Sequence, residues 1–203
     1  MLNLPIGQHV SISAEINGKL VARSYTPISN NDDRGYFDLL IKTYEKGNIS
    51  RHFAQLTIGD KIRVKGPKGQ FNYSPGLVGQ LSMIAGGTGI TPMYQILRAV
   101  LSNPADKTKV SLIYANVNHD DILLRSELDK LAQSHADQFT LYYVLNNPPA
   151  TWSGGVGFVT KDHIKQFLPN PAHTDSKLLI CGTCHLGTSL PCFSYPNRPP
   201  THG

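Results

Sequence analysis

The sequence predicts two unequal lobes, a β-rich lobe through about Asn72 and an α/β lobe from about Gln80. Three observations carry this. From His9 to Phe71 the side chains alternate with period two between clusters of turn residues. Gly66-Pro67-Lys68-Gly69 and then Ser74-Pro75-Gly76 make a loop-rich boundary. Beyond Leu81, strand patterns alternate with helical ones, the order that builds a parallel sheet.

The elements follow in order. Strands are expected at His9–Ile16 and Lys19–Tyr25, joined by Asn17-Gly18, a dipeptide suited to a two-residue hairpin. Alternation places Val21, Arg23 and Tyr25 on one face of the second strand and Ala22 and Ser24 on the other. Tyr36–Tyr44 reads as a third strand, with Leu40, Lys42 and Tyr44 on one face and Phe37, Leu39 and Ile41 on the other. Gly47-Asn48-Ile49-Ser50 is a glycine turn, with Ser50 expected to cap a short helix through Arg51, Phe53 and Leu56. Lys61–Lys65 closes the first lobe as a strand.

Leu81, Met83, Ile84 and Ala85 form the apolar run of a strand buried on both faces. Gly86, Gly87 and Gly89 then turn the chain, with Thr91 expected to cap the next helix and Pro92 to occupy its first position. Such a helix start gathers unpaired N–H groups and partial positive charge, which suits a pyrophosphate. The string is neither the dinucleotide G-x-G-x-x-G nor a P-loop, since no Gly-Lys-Ser/Thr follows. Strand Val110–Ala115, helix Asp121–Ser134, strand Phe139–Leu145, helix Thr160–Leu168 and strand Lys177–Cys181 complete the alternation. Asn146–Trp152 interrupts it just past a strand's carboxyl end, where open α/β sheets bind ligands. Trp152 there either lines a nucleotide groove or tucks under a solvent loop. His52 reads as a surface residue.

Taken together, Arg23-Ser24-Tyr25-Thr26-Pro27, Ile41-Lys42-Thr43-Tyr44, Gly47-Asn48-Ile49-Ser50 and Gly86-Gly87-Thr88-Gly89-Ile90-Thr91-Pro92 resemble the NADH-cytochrome b5 reductase family, within the wider ferredoxin–NADP reductase group. The resemblance runs from about Leu4 to Gly182. It implies an antiparallel β-barrel FAD-binding domain over 1–72, a linker over 73–79 and an α/β nicotinamide-binding domain over 80–182. On that likeness Arg23 contacts the FAD pyrophosphate, Tyr25 packs on the flavin and Thr26 bonds the ring or ribityl chain, with Ser24 and Leu40 beside them. Lys42 lies near both flavin and nicotinamide nucleotide, and Gly47, Asn48, Ile49 and Ser50 meet the FAD phosphates through backbone N–H groups. Gly87, Thr88, Gly89 and Thr91 frame the nicotinamide site. Cys181 and Gly182 match the start of the family's Cys-Gly-Pro-Pro, whose cysteine sits at the reacting ring, while Thr183 and Cys184 depart from it. Lys42, Thr91 and Cys181 are thus the residues expected at the chemistry, with FAD and NADH as cofactors and no metal. Many relatives carry an acidic residue after the loop tryptophan that favours NADH. Ser153 stands there, which leaves discrimination against NADPH open.

Composition bounds the setting. The 203 residues, 40% of them hydrophobic, suffice for one large or two small cores. No apolar run reaches the roughly 18 residues of a membrane span, and the first residues lack signal-peptide character. Three cysteines, all after Ile180, make no disulfide framework, so a cytosolic setting is expected. The parent family sits on the cytosolic face of the endoplasmic reticulum or the mitochondrial outer membrane. The net charge of +5 is scattered, which disfavours nucleic acid and suits an acidic protein partner. The resemblance supplies the candidate, a cytochrome b5-like acidic haem protein.

Both ends depart from the family. Its barrel begins with strands upstream of Leu4–His9, and residues 184–203 replace its last helix and strand, so the expectation is a truncated or altered-frame product with a disordered tail and impaired turnover. Cys181-Gly182-Thr183-Cys184-His185 spells a c-type haem string. A zinc site from Cys181, Cys184, His185 and Cys192 is the other option; a chance match is the expected reading, since Cys181 already ends an apolar strand. The rival functions are a related flavin reductase serving another acceptor and an inactive remnant that at most binds nucleotide.

Overall fold

The computed structural model describes residues 3–31, 33–43, 47–169 and 175–182. β1 (His9–Ile16) and β2 (Lys19–Tyr25) pair antiparallel from Val10↔Tyr25 to Ile16↔Lys19. Asn17 (φ 52°) and Gly18 (φ 71°) between them are both left-handed, as a two-residue turn matched to strand twist requires. Val10 and Ile12 from β1 bury beside Leu4, with Tyr25, Leu39, Phe53 and Ile62 packed against them. β3 (Arg63–Lys68) flanks the other side of β1 antiparallel, giving the order β2-β1-β3.

Two expectations change here. β3 runs on through Gly66-Pro67, where the sequence suggested a loop. As an edge strand it tolerates proline, and a side chain on Gly66 would meet Val10 Cγ1 at 3.0 Å. The described part of the predicted strand at 36–44, residues 36–43, pairs with nothing as a strand; Tyr44 lies outside the described residues. Asp38 ties the segment to the preceding loop: its carbonyl accepts from Ile28 N–H at 2.9 Å and its N–H donates to Ser29 Oγ at 3.0 Å. Alternation sets side-chain faces, but a ladder also needs a neighbouring strand. α1 (Asn48–Ala54) follows.

The second lobe is a five-stranded parallel sheet in the order β7-β6-β5-β4-β8. Its strands are β4 (Gln80–Gly86), β5 (Lys109–Asn118), β6 (Phe139–Asn147), β7 (Gly155–Val156) and β8 (Ser176–Gly182). β4 is buried on both faces, as its apolar run requires. Leu81, Met83 and Ala85 join the larger core with Leu97, Leu112 and Tyr114, while Ile84 joins Ile113, Val144 and Leu168 on the opposite face. The helices are α2 (Ile90–Leu101), α3 (Arg125–Ser134) and α4 (Lys161–Phe167). α4 opens on Thr160, whose hydroxyl accepts from His163 N–H at 3.2 Å. α3 begins four residues later than expected because Leu124 takes a left-handed conformation (φ 57°) after a 3₁₀ turn at His119–Asp121.

Named contacts tie the lobes. Gly7 N–H donates to Gln95 Oε1 at 2.7 Å, and Arg98 donates to the Ile28 carbonyl at 2.9 Å. Tyr73 bonds the Ile6 carbonyl through its N–H, and its hydroxyl donates to Asp106 Oδ2 at 2.7 Å. The tail expected from 183 onward, with Cys184, His185 and Cys192, lies outside the described residues. No helix among the described residues is long and apolar enough to cross a membrane.

Candidate functional site

The strand order fixes where the site falls. From β4 the chain moves through β5 and β6 to β7 in one direction, whereas β8 returns to the other side of β4. The carboxyl ends of β4 and β8 therefore flank a topological switch point, the usual ligand crevice of an open parallel sheet. Gly86 and Gly182 face each other there, and Ala85 pairs with Cys181.

The glycine turn is packed against this point. Gly87–Gly89 form one 3₁₀ turn that runs straight into α2. A Cβ on Gly89 would lie 2.1 Å from the Cys181 carbonyl oxygen and 2.8 Å from Gly182 Cα, so only glycine lets the turn reach β8. Gly87 instead needs glycine for its left-handed φ of 53°, and its Cβ direction opens into free space. The Tyr114 hydroxyl, from β5, donates to the Gly87 carbonyl at 3.0 Å and holds the turn from below. Gly89 is thus brought against Cys181 and Gly182, with Thr88 and Thr91 on the same turn.

The capping details differ. Thr91 is the second residue of α2 and its hydroxyl donates to the Thr88 carbonyl at 3.3 Å, while Gly89 occupies the cap and Pro92 the third position. Ser50 lies buried inside α1, whose cap is Gly47. No side chain caps the start of either helix. The start of α1 at Gly47–Ser50 therefore presents backbone N–H groups without a side-chain cap.

The first lobe contributes a second cluster. Tyr25 at the end of β2 meets Phe53 of α1 edge-on, ring centroids 5.6 Å apart, and burial raises its hydroxyl pKa. Thr26 is buried beside it. Arg23, on the same strand face as Tyr25, is exposed and donates to the Ala22 carbonyl at 2.8 Å. Ser24 is exposed, and Leu40 is half-buried. His52 is half-buried rather than fully at the surface.

Lys42 joins the two lobes. Its Nζ lies 2.5 Å from Asp121 Oδ1, across 79 residues of sequence and from one lobe to the other. The hydrogen bond from Lys42 holds the Asp121 carboxyl below the usual carboxylate range. Sequence reasoning missed Asp121, taking it for a helix start, although Asn118 three residues before it is a legible capping spacing. Asn116 was also missed. It ends the apolar run of β5 near the crevice, is 2% exposed, and neither atom of its amide has a partner among the described residues. Trp152 is tucked, donating from Nε1 to the Gly155 carbonyl at 3.0 Å and meeting His119 edge-on. Among the described residues no cluster of metal-ligating side chains exists.

Comparisons with known proteins agree with this architecture. The oxidoreductase FAD-binding domain family matches residues 1–73, and the oxidoreductase NAD-binding domain family matches 83–189. NADH-cytochrome b5 reductase 1 of Laccaria bicolor is 64% identical over 190 residues, covering 94% of this chain and 62% of that protein. The protein of the same name from Meyerozyma guilliermondii is 62% identical over 181 residues, 89% of this chain and 63% of that one. The chain thus spans somewhat under two thirds of these relatives. The crystal structure of the cytochrome b5 reductase domain of Ulva prolifera nitrate reductase superposes with a TM-score of 0.87 at 38% identity, covering 92% of this chain and 78% of that one. The antiparallel lobe, the parallel lobe and the glycine turn at their crevice are those of one family: this chain belongs to the NADH-cytochrome b5 reductases.

Proposed function

We propose that this chain takes electrons from NADH through bound FAD and passes them to cytochrome b5 or a similar acidic haem protein. The observation that carries the reading is the packing of the Gly87–Thr91 turn on Cys181–Gly182 at the switch point of the parallel sheet. The likeness to cytochrome b5 reductases over 94% of the chain supports it.

FAD suits this exchange because, when bound, it accepts two electrons together and gives them up singly. The protein's share is binding, orientation and electrostatics. Arg23 supplies an always-charged fork for the FAD pyrophosphate, and the Gly47, Asn48, Ile49 and Ser50 backbone supplies N–H donors beside it. Tyr25 and Thr26, with Ser24 on the same strand as Tyr25 and Leu40 on the 36–43 segment, position the flavin against the second lobe. Gly87, Thr88, Gly89 and Thr91 frame the nicotinamide, with Cys181 and Gly182 closing its far side. Lys42 holds the nucleotide at the boundary of the lobes. Holding two reacting rings in contact accounts for most of what such a protein must do, and no acid–base pair is required.

The domain bounds that go with this reading are 1–72 for FAD, 73–79 as linker and 80–182 for NADH. A net charge of +5 supports an acidic partner, since complementary charge speeds encounter. The cytosolic face of the endoplasmic reticulum or the mitochondrial outer membrane is the setting in which such a partner is met.

The test is haem reduction. FAD-loaded protein mixed with NADH and oxidised cytochrome b5 is expected to reduce about two haems per NADH consumed, because hydride carries two electrons. The rate should fall steeply as salt screens the encounter. NADH consumption without haem reduction, at low salt, would show that the acceptor is wrong.

A further inference from the structure

We propose that Asp121 is the positioning residue of the nicotinamide-nucleotide site, acting through Lys42 by fixing its ammonium at the boundary of the two lobes before the nucleotide arrives. This rests on the reading above, in which Lys42 meets the nucleotide.

The geometry is that of a preset cation. Asp121 Oδ1 accepts from Lys42 Nζ, while its Oδ2 accepts from Asn118 N–H at 3.1 Å and from Asn118 Nδ2 at 2.9 Å. With one oxygen held by its own turn, the carboxylate cannot swing to follow the lysine; the lysine must come to it. The turn is itself anchored. Asn147 donates to Asn118 Oδ1 at 3.3 Å, His119 meets the Trp152 ring at 6.1 Å between centroids, and Arg125 contacts His119 Nε2. Lys42, by contrast, sits on a segment with no strand partner among the described residues. A four-carbon stem on such a segment samples many conformers, and ordering it on ligand binding is costly. The Asp121 contact bears that ordering in the free protein. It uses one of the three ammonium donors and leaves two for a ligand, with Lys42 still one-third exposed.

A competing role predicts the opposite sign. If the nucleotide had to displace Asp121 from Lys42, removing the carboxylate would strengthen binding. The two roles therefore separate in one experiment on the FAD-loaded protein: NAD⁺ affinity by titration calorimetry for the wild type, Asp121→Asn, Lys42→Met and the double variant, with urea midpoints measured alongside. Asp121→Asn keeps an acceptor for the Asn118 turn. It is expected to weaken NAD⁺ by roughly tenfold, the lower end for one charge-assisted hydrogen bond, at an unchanged urea midpoint. The double variant should bind no worse than Lys42→Met alone. Tighter binding in Asp121→Asn, or additive losses in the double variant, would overturn the proposal. Should Asp121→Asn not fold, Asp121→Glu decides, because it keeps the charge but moves the carboxylate by a methylene. Weaker NAD⁺ binding supports positioning, and wild-type affinity contradicts it. A wild type that binds FAD but no NAD⁺ removes the nucleotide reading and this inference with it, whereas a wild type that binds NAD⁺ and an Asp121→Asn variant that matches it removes this inference alone.

Discussion

Gly89 and Gly87 stand two residues apart and need glycine for different reasons, which makes them separable. At Gly89 an added methyl group would strike backbone, the Cys181 carbonyl at 2.1 Å, and that backbone is held in register against β4. Gly89→Ala is expected to cost about 1–3 kcal/mol or more, as overpacking does, and to loosen the turn from β8. At Gly87 the same change meets no atom within 4 Å and costs only the left-handed backbone, about 1–2 kcal/mol. Urea unfolding of both variants checks this. NAD⁺ affinity should fall further for Gly89→Ala, since that variant alone moves the frame of the crevice. Equal stability and equal affinity in the two would mean that the turn does not need to touch Cys181.

Between elements, the segment through Tyr73 is the best-defined tie between the lobes. Its N–H holds Ile6, and its hydroxyl reaches Asp106 at 2.7 Å and lies 3.0 Å from Thr108 Oγ1. Tyr73→Phe leaves Asp106, only 2% exposed, short of one donor and should cost about 1–3 kcal/mol. A pH signature accompanies the loss. Burial and the bond to Asp106 push the Tyr73 hydroxyl up to about 12. The folded state therefore holds this proton more tightly than the unfolded chain, so the stabilisation is complete below about pH 10 and lost as pH rises towards 12. Tyr25, Tyr94 and Tyr143 are also raised, so the variant should flatten this alkaline limb in part rather than abolish it. An unchanged limb in Tyr73→Phe would show that the proton is not held at this seam.

Local pattern reveals some elements and hides others. The β1–β2 hairpin was legible because Asn17-Gly18 and strict alternation agree, and β4 because an unbroken apolar run has few other uses. The start of α3 was not. Asp120-Asp121 carries the composition of a helix start, but the left-handed Leu124 and the Asn118–Asp121 cap delay the helix to Arg125. Nor do the described residues of the strand predicted at 36–44, residues 36–43, form one, since alternation is a property of the segment whereas a ladder depends on what lies beside it.

Across the whole molecule, residues that share a motif were legible as a site, and residues that meet only through folding were not. Gly87–Thr91 and Cys181–Gly182 come together because β4 and β8 are neighbours, whereas strand–helix alternation predicts a parallel sheet without its strand order. Lys42 and Asp121 meet across 79 residues, and no local signature announces such a pair. Asn116 is similar: one polar residue at the end of an apolar strand shows its orphaned amide only once its surroundings are built. The central claim is that the two lobes hold flavin and nicotinamide in contact. Anaerobic titration of the FAD-loaded protein with NADH, followed by flavin absorbance, tests it most directly. The account predicts that the oxidised flavin bands bleach with an end point of one NADH per flavin, whereas a protein that binds both FAD and NADH yet keeps its flavin oxidised would contradict it.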